Sequence, residues 1–268
     1  KTIPDADPEL VRHAGVHADR VSINVELPTV GGLTRLAPEK SAGRIEGAMR
    51  DMKGAIDDGR DAKQRYRSAP GFAPAGQSTQ MIVGADAASD RDIVGKASAL
   101  YERFGLRRVY YSAFSPIPDA SAVLPLQRPP LMREHRIYQA DWLMRFSGFP
   151  PREVQSAADE QGMLPLDTDP KLAWALKYRD SFPVDVNRAP KEMLWRVPGL
   201  GTKAVKRILA SRRWRTLRLD DVARLTLSIA KVRPFIVTAD WRPTLLTDRA
   251  DLRQLVAPKR QQLELFAA

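Results

Sequence analysis

Val197-Pro198-Gly199-Leu200-Gly201 separates two short basic helical stretches, and its reading decides the fold of the C-terminal part of the chain. Upstream, Pro190 stands at a first helical position with Glu192 behind it, and Met193, Leu194 and Val197 recur at apolar helical spacing. Downstream, Thr202 opens a second helix whose inner face carries Ala204, Val205, Ile208 and Leu209. Two short helices joined by Pro-Gly-X-Gly predict a tight αα-hairpin. Gly199 and Gly201 lack a Cβ, so the corner can take positive φ and its backbone can come close to another molecule. The free N–H groups at the start of the second helix then point outward as an anion site. Lys203, Lys206, Arg207, Arg212 and Arg213 set cations beside it.

The charge of the chain gathers at this corner. The net formal charge is +11, and residues 187–233 alone carry 13 Lys or Arg against three acidic residues, Glu192, Asp220 and Asp221. Such a concentration reads as an electrostatic footprint for a polyanion. Pro198, Gly199, Gly201, Thr202, Lys203, Lys206 and Arg207 together resemble the helix-hairpin-helix module of DNA repair and recombination proteins. That resemblance implies a DNA-binding surface that grips phosphates without reading bases. A hairpin that only packs helices together is the competing expectation.

At 268 residues the chain can bury a core and hold one or two domains. No run approaches the ~18 apolar residues that span a membrane, and the first residues show no leader pattern, so a cytoplasmic protein is the expectation. There is no cysteine, which excludes disulfides and thiolate-bound metals within this chain. His13, His17 and His135 lack the acidic spacing of a metal site. Lys1-Thr2-Ile3-Pro4 reads like the end of a strand, and the chain is expected to be a fragment of a longer polypeptide.

Residues 1–125 alternate helix and strand. Helices are expected over 8–18, 38–67 and 89–104, with strands over 21–27, 79–84 and 108–114. Strand-helix-strand order with long crossovers argues an α/β fold with a parallel sheet, open or closed into a barrel. Residues 126–182 read as a helical bracing segment, where Ile137, Tyr138, Trp142 and Phe146 form one apolar side and Asp169-Pro170 starts a further helix. Residues 183–240 hold the hairpin, and 241–268 read as a flexible tail, extended or disordered.

Up to about residue 238 the sequence resembles the DNA modification and repair subgroup of radical S-adenosylmethionine (radical SAM) proteins. The segments that carry the likeness are Ser22-Ile23-Asn24-Val25-Glu26-Leu27-Pro28-Thr29 and the run from Ala73-Pro74-Ala75-Gly76 through Gln80-Met81-Ile82-Val83-Gly84-Ala85. Equally so do Tyr110-Tyr111-Ser112-Ala113-Phe114-Ser115-Pro116, Arg133-Glu134-His135-Arg136-Ile137-Tyr138 and Phe182-Pro183-Val184-Asp185-Val186-Asn187. The resemblance implies a partial parallel (β/α) barrel, an iron–sulfur ([4Fe-4S]) cluster held by three cysteines, and S-adenosyl-L-methionine cleaved to a 5′-deoxyadenosyl radical. Ligands of parallel barrels sit at the C-terminal strand ends. Asn24, Glu26, Gln80, Gly84, Ser112 and Ser115 fall near those ends and are the expected cofactor-binding residues. The chain departs from the family in having no cysteine, so the cluster ligands lie in a missing part or the chain is a cluster-less relative.

Near the terminus, Gln262-Leu263-Glu264-Leu265-Phe266 resembles the short peptide by which bacterial repair proteins bind the sliding clamp. There Leu265 and Phe266 would be apolar anchors and Gln262 a hydrogen-bonding group, with Leu263 also among the partner-binding residues. The functional expectation is therefore a DNA-binding radical SAM enzyme of DNA modification or DNA repair. A non-catalytic, DNA-bound adaptor tethered to the clamp is the alternative.

Overall fold

The computed structural model describes residues 1–117, 123–244 and 247–256. The chain divides into two compact units, the first of residues 1–138 and 160–163, the second of 139–159 and 164–268. Both mix helix with short strands. No helix among the described residues is long and apolar enough to cross a membrane.

The first unit is built on an open, three-stranded parallel sheet in the order β1 (Val21–Ser22), β2 (Gln77–Val83), β3 (Arg108–Ala113). Among the described residues it does not close into a barrel. Helix α1 (Pro8–His17) precedes β1, with the Asp7 carboxylate accepting from the Glu9 and Leu10 amides and Pro8 in its first turn. Between β1 and β2 run α2 (Val30–Leu36) and the long α3 (Ala42–Arg65). α3 buries Ile45, Met49, Met52 and Ile56, one per turn, and this stripe faces the core. α4 (Asp90–Phe104) joins β2 to β3. It starts at a reciprocal Ser89–Asp92 capping box and ends at Gly105, whose φ of +60° closes the helix in the left-handed region. Its Ile93, Ala97, Leu100 and Phe104 complete the core with Met81, Val83 and Val109 of the sheet. α5 (Leu131–Phe146) begins in this unit, where the Arg133 guanidinium meets the fully buried Asp90 carboxylate at 2.7 Å and donates to the Ala88 carbonyl.

Three expectations are revised here. The first strand does not run unbroken over 21–27. It pairs Ser22 with Ser78 and then rejoins β2 only at Glu26 opposite Met81, so four steps on one strand match three on the other. The extra residue makes a bulge, and Glu26 sits in it at φ +61°. The polar helix expected over 38–67 starts at Ala42, and a separate α2 precedes it, capped by the Thr29 hydroxyl. The segment after Trp241 is not extended throughout. Residues 252–256 form a helix, α12, which buries Leu252 and Val256, and Thr247 donates to the Pro234 carbonyl.

The second unit is mainly helical. α6 (Pro151–Ser156) and α7 (Pro170–Lys177) lead to the strand β4 (Val184–Asp185). Two helical pairs follow, α8 (Lys191–Arg196) with α9 (Thr202–Ser211), and α10 (Leu219–Ala223) with α11 (Ile229–Val232). β5 (Ile236–Val237) then returns to pair with β4 in parallel, Val184 opposite Ile236. Leu172, Leu194, Val205, Ile208, Val222, Val232 and Phe235 fill the space between these elements and are all fully buried. Asn187 clasps the two helical pairs from within, its side-chain amide donating to the Leu217 carbonyl and accepting from the Leu217 amide.

Candidate nucleic-acid interface

The corner between α8 and α9 is held from below. Val197 and Leu200 are buried, and the Leu200 amide donates to the Val197 carbonyl at 3.2 Å. Arg196 turns inward as well, making a bidentate pair with Glu153 at 2.9 and 2.8 Å and lying over Phe149. Gly199 has φ +83°, and a Cβ there would come within 2.7 Å of Val232 Cγ2. Gly201 differs from the expectation for it. As N-cap of α9 it has φ −80° and ψ 167°, ordinary extended backbone, and the space its Cβ would fill is open.

Intrahelical bonding in α9 begins with the Val205 amide donating to the Gly201 carbonyl, and no side chain caps the first turn. The amides of Thr202, Lys203 and Ala204 therefore stand at the positive end of a ten-residue helix without an intrahelical acceptor. Lys203, Lys206 and Arg207 are exposed, and none forms an ion pair among the described residues. Pro198 is buried in the corner while Gly199 and Gly201 are exposed. Arg213 is exposed at the far end of α9. Arg212, expected among the surface cations, turns back to donate to the Val186 and Ala189 carbonyls at 3.1 and 2.7 Å. It ties α9 to the loop before α8 instead of facing solvent.

A cavity of about 290 Å³ opens beside the corner, lined by Trp142, Leu143, Lys171, Gly199, Leu200 and Thr202 among others. The sequence offered no sign of it, since its far wall comes from α5 and α7. Lys171 Nζ donates to the Leu200 carbonyl at 2.6 Å, and the neighbouring Asp169 carboxylate caps α7 and pairs with Lys231. Burial pushes the Lys171 ammonium down from 10.5 to about 7; Asp169 opposes this, while Lys231 and Arg196 add to it. The folded state thus binds fewer protons than the unfolded state between about 7 and 10.5, so stability of this unit rises with pH across that window. An anion at the corner would favour the charged amine, and binding would take up a proton. Oligonucleotide affinity measured by anisotropy is expected to fall several-fold from pH 6 to pH 8.5 and to lose that dependence in Lys171→Met. An unchanged profile in the variant would remove Lys171 from the site.

The expected cofactor residues lie in the first unit. Glu26 forms an ion pair with Lys40 at 2.8 Å, and both line a cavity of about 310 Å³ with Ile82, Ala85 and Phe114. Asn24, Gln80, Gly84, Ser112 and Ser115 are not among its lining residues. Asn24 accepts from the Ser22 hydroxyl at 3.3 Å, Gln80 and Ser112 are half-buried in β2 and β3, and Ser115 is exposed beyond β3. Gly84 has φ +80°, and the place of its missing Cβ is taken up by the Pro129 ring at 2.7 Å. Gln262, Leu263, Leu265 and Phe266 lie outside the described residues. Compared with family models, with curated proteins and with solved structures, the chain finds no match.

Proposed function

We propose that this chain binds DNA through the corner between α8 and α9, as the phosphate-gripping part of a radical S-adenosylmethionine protein of DNA modification or repair. The observation that carries the DNA reading is the uncapped first turn of α9 flanked by exposed Lys203, Lys206 and Arg207, none of them in an ion pair among the described residues. Main-chain amides and cations lie together there as phosphate oxygens require. The test is retention of labelled duplex and single-stranded oligonucleotides across a salt series. Binding that weakens linearly in log affinity against log salt supports the reading, and absence of salt-sensitive binding overturns it.

The radical half of the proposal rests on the sequence resemblance together with the cavity at Glu26. Its apolar walls suit an adenine ring, and the Glu26–Lys40 pair offers a carboxylate and an ammonium for the amino-acid end of S-adenosylmethionine. When bound beside an iron–sulfur cluster that cofactor supplies a 5′-deoxyadenosyl radical. The chain has no thiolate for the cluster, so its ligands do not come from these residues. The second reading is a DNA-bound adaptor without catalysis. Attachment to the sliding clamp through Gln262, Leu263, Leu265 and Phe266 belongs to either reading. Calorimetric titration of S-adenosylmethionine into the protein and its Glu26→Ala variant separates the two, because only the first requires binding that the substitution weakens.

A further inference from the structure

We infer that the cavity beside the α8–α9 corner receives an unpaired nucleobase, so that the protein prefers DNA carrying an unstacked nucleotide over perfect duplex. The inference rests on the DNA reading above and names its substrate class. It starts from α5. Ala140 and Leu143 of this helix are buried, yet Trp142 is 56% exposed and Phe146 42% exposed. The stripe of Ile137, Tyr138, Trp142 and Phe146 expected as core is therefore split, because Ile137, Ala140 and Leu143 turn the helix so that the last two aromatic rings face outward. Those rings lie against one another with centroids 4.3 Å apart, and the Arg145 guanidinium covers Phe146 at 4.7 Å.

The position of Trp142 gives this exposure a use. It lines the same cavity as Lys171, Gly199, Leu200 and Thr202, so an apolar ring wall and the phosphate-gripping turn face one space of about 290 Å³. A nucleotide has the matching two halves, an anionic phosphate and a flat π-surface. The phosphate suits the corner and its cations, and the base suits the indole. In an intact duplex both faces of a base are already covered by its neighbours. Only a base that has left the stack, in a single strand, a bulge or a flipped state, can offer a face to Trp142. Stacking on an aromatic ring is indifferent to sequence, which agrees with a grip that reads no base edge.

Anisotropy titrations with a perfect duplex and with the same duplex carrying one bulged nucleotide test this. The wild-type protein is expected to bind the bulged form about tenfold more tightly. Trp142→Ala is expected to bring the bulged form down to the affinity of the duplex while leaving duplex binding unchanged, and Trp142→Phe to keep most of the preference. Equal wild-type affinity for the two forms, or a Trp142→Ala loss shared by both, overturns the inference while the DNA reading stands. If neither form binds in a salt-sensitive way, the DNA reading fails and this inference with it. A second measurement does not depend on the alanine variant folding. The bulged oligonucleotide should quench intrinsic tryptophan fluorescence in the wild type and much less in Trp142→Phe, and equal quenching in both counts against the site.

Discussion

Replacing Lys203, Lys206 and Arg207 together by alanine is expected to lower DNA affinity by about two orders of magnitude near physiological salt. Each phosphate contact that releases a counterion contributes roughly 0.9 to the slope of log affinity against log salt, so removing three should flatten that slope by about 2.7. At about 0.15 M salt the same three terms give the loss in affinity. The fold should not suffer. All three side chains are exposed and outside ion pairs among the described residues, and α9 keeps the apolar face of Ala204, Val205 and Ile208 that holds it in place. Thermal unfolding should therefore match the wild type within about 0.5 kcal/mol, or improve slightly as like charges are removed. Arg212 is the useful contrast, since its bonds to Val186 and Ala189 make it structural although it shares the basic stretch. If the triple variant binds as tightly as wild type with an unchanged slope, the hairpin packs helices and does nothing more.

The parts of this molecule that the sequence made legible are those decided locally. The Pro-Gly-X-Gly corner, the helix over 89–104 and the strands β2 and β3 each follow from a few adjacent residues. What it did not disclose depends on residues far apart in the chain. The bulge at Glu26 arises only when β1 is laid against β2, because an extra residue has no signature until a partner register exists. Apolar residues on α5 extend beyond the one side read in the sequence to Ala140 and Leu143, so spacing alone could not tell which aromatic rings the neighbours would cover, and Trp142 and Phe146 stayed out. Nothing adjacent to Lys171 in the sequence marks it, yet burial holds its ammonium far below the usual lysine range. Arg212 and Arg213 are adjacent in sequence, but only the backbone acceptors near α8 decide that one turns inward.

The two glycines of the corner looked equivalent in sequence, and their geometry sets them apart with opposite signs. Gly199→Ala must hold a left-handed φ near +83° and press its new methyl carbon toward the fully buried Val232. The strained backbone costs about 1–2 kcal/mol and the overpacking adds about 1–3, so unfolding of this unit should shift by several degrees, with DNA binding lost as the corner moves. Gly201→Asp meets neither obstacle, since its φ of −80° suits any residue and the new Cβ meets nothing within 4 Å beyond its chain neighbours. At an N-cap the carboxylate can accept from the amide of Lys203 or Ala204 and oppose the positive helix end, adding about 0.5–1 kcal/mol of stability. The same carboxylate then occupies the amides a phosphate would use and places a negative charge beside them. Affinity should fall by at least tenfold while the melting temperature rises, a pairing that a damaged fold cannot produce. Thermal melts and oligonucleotide titrations on the two variants give both readings. A Gly201→Asp protein that binds DNA like the wild type would show that the α9 amides never meet phosphate, whatever the cations around them do.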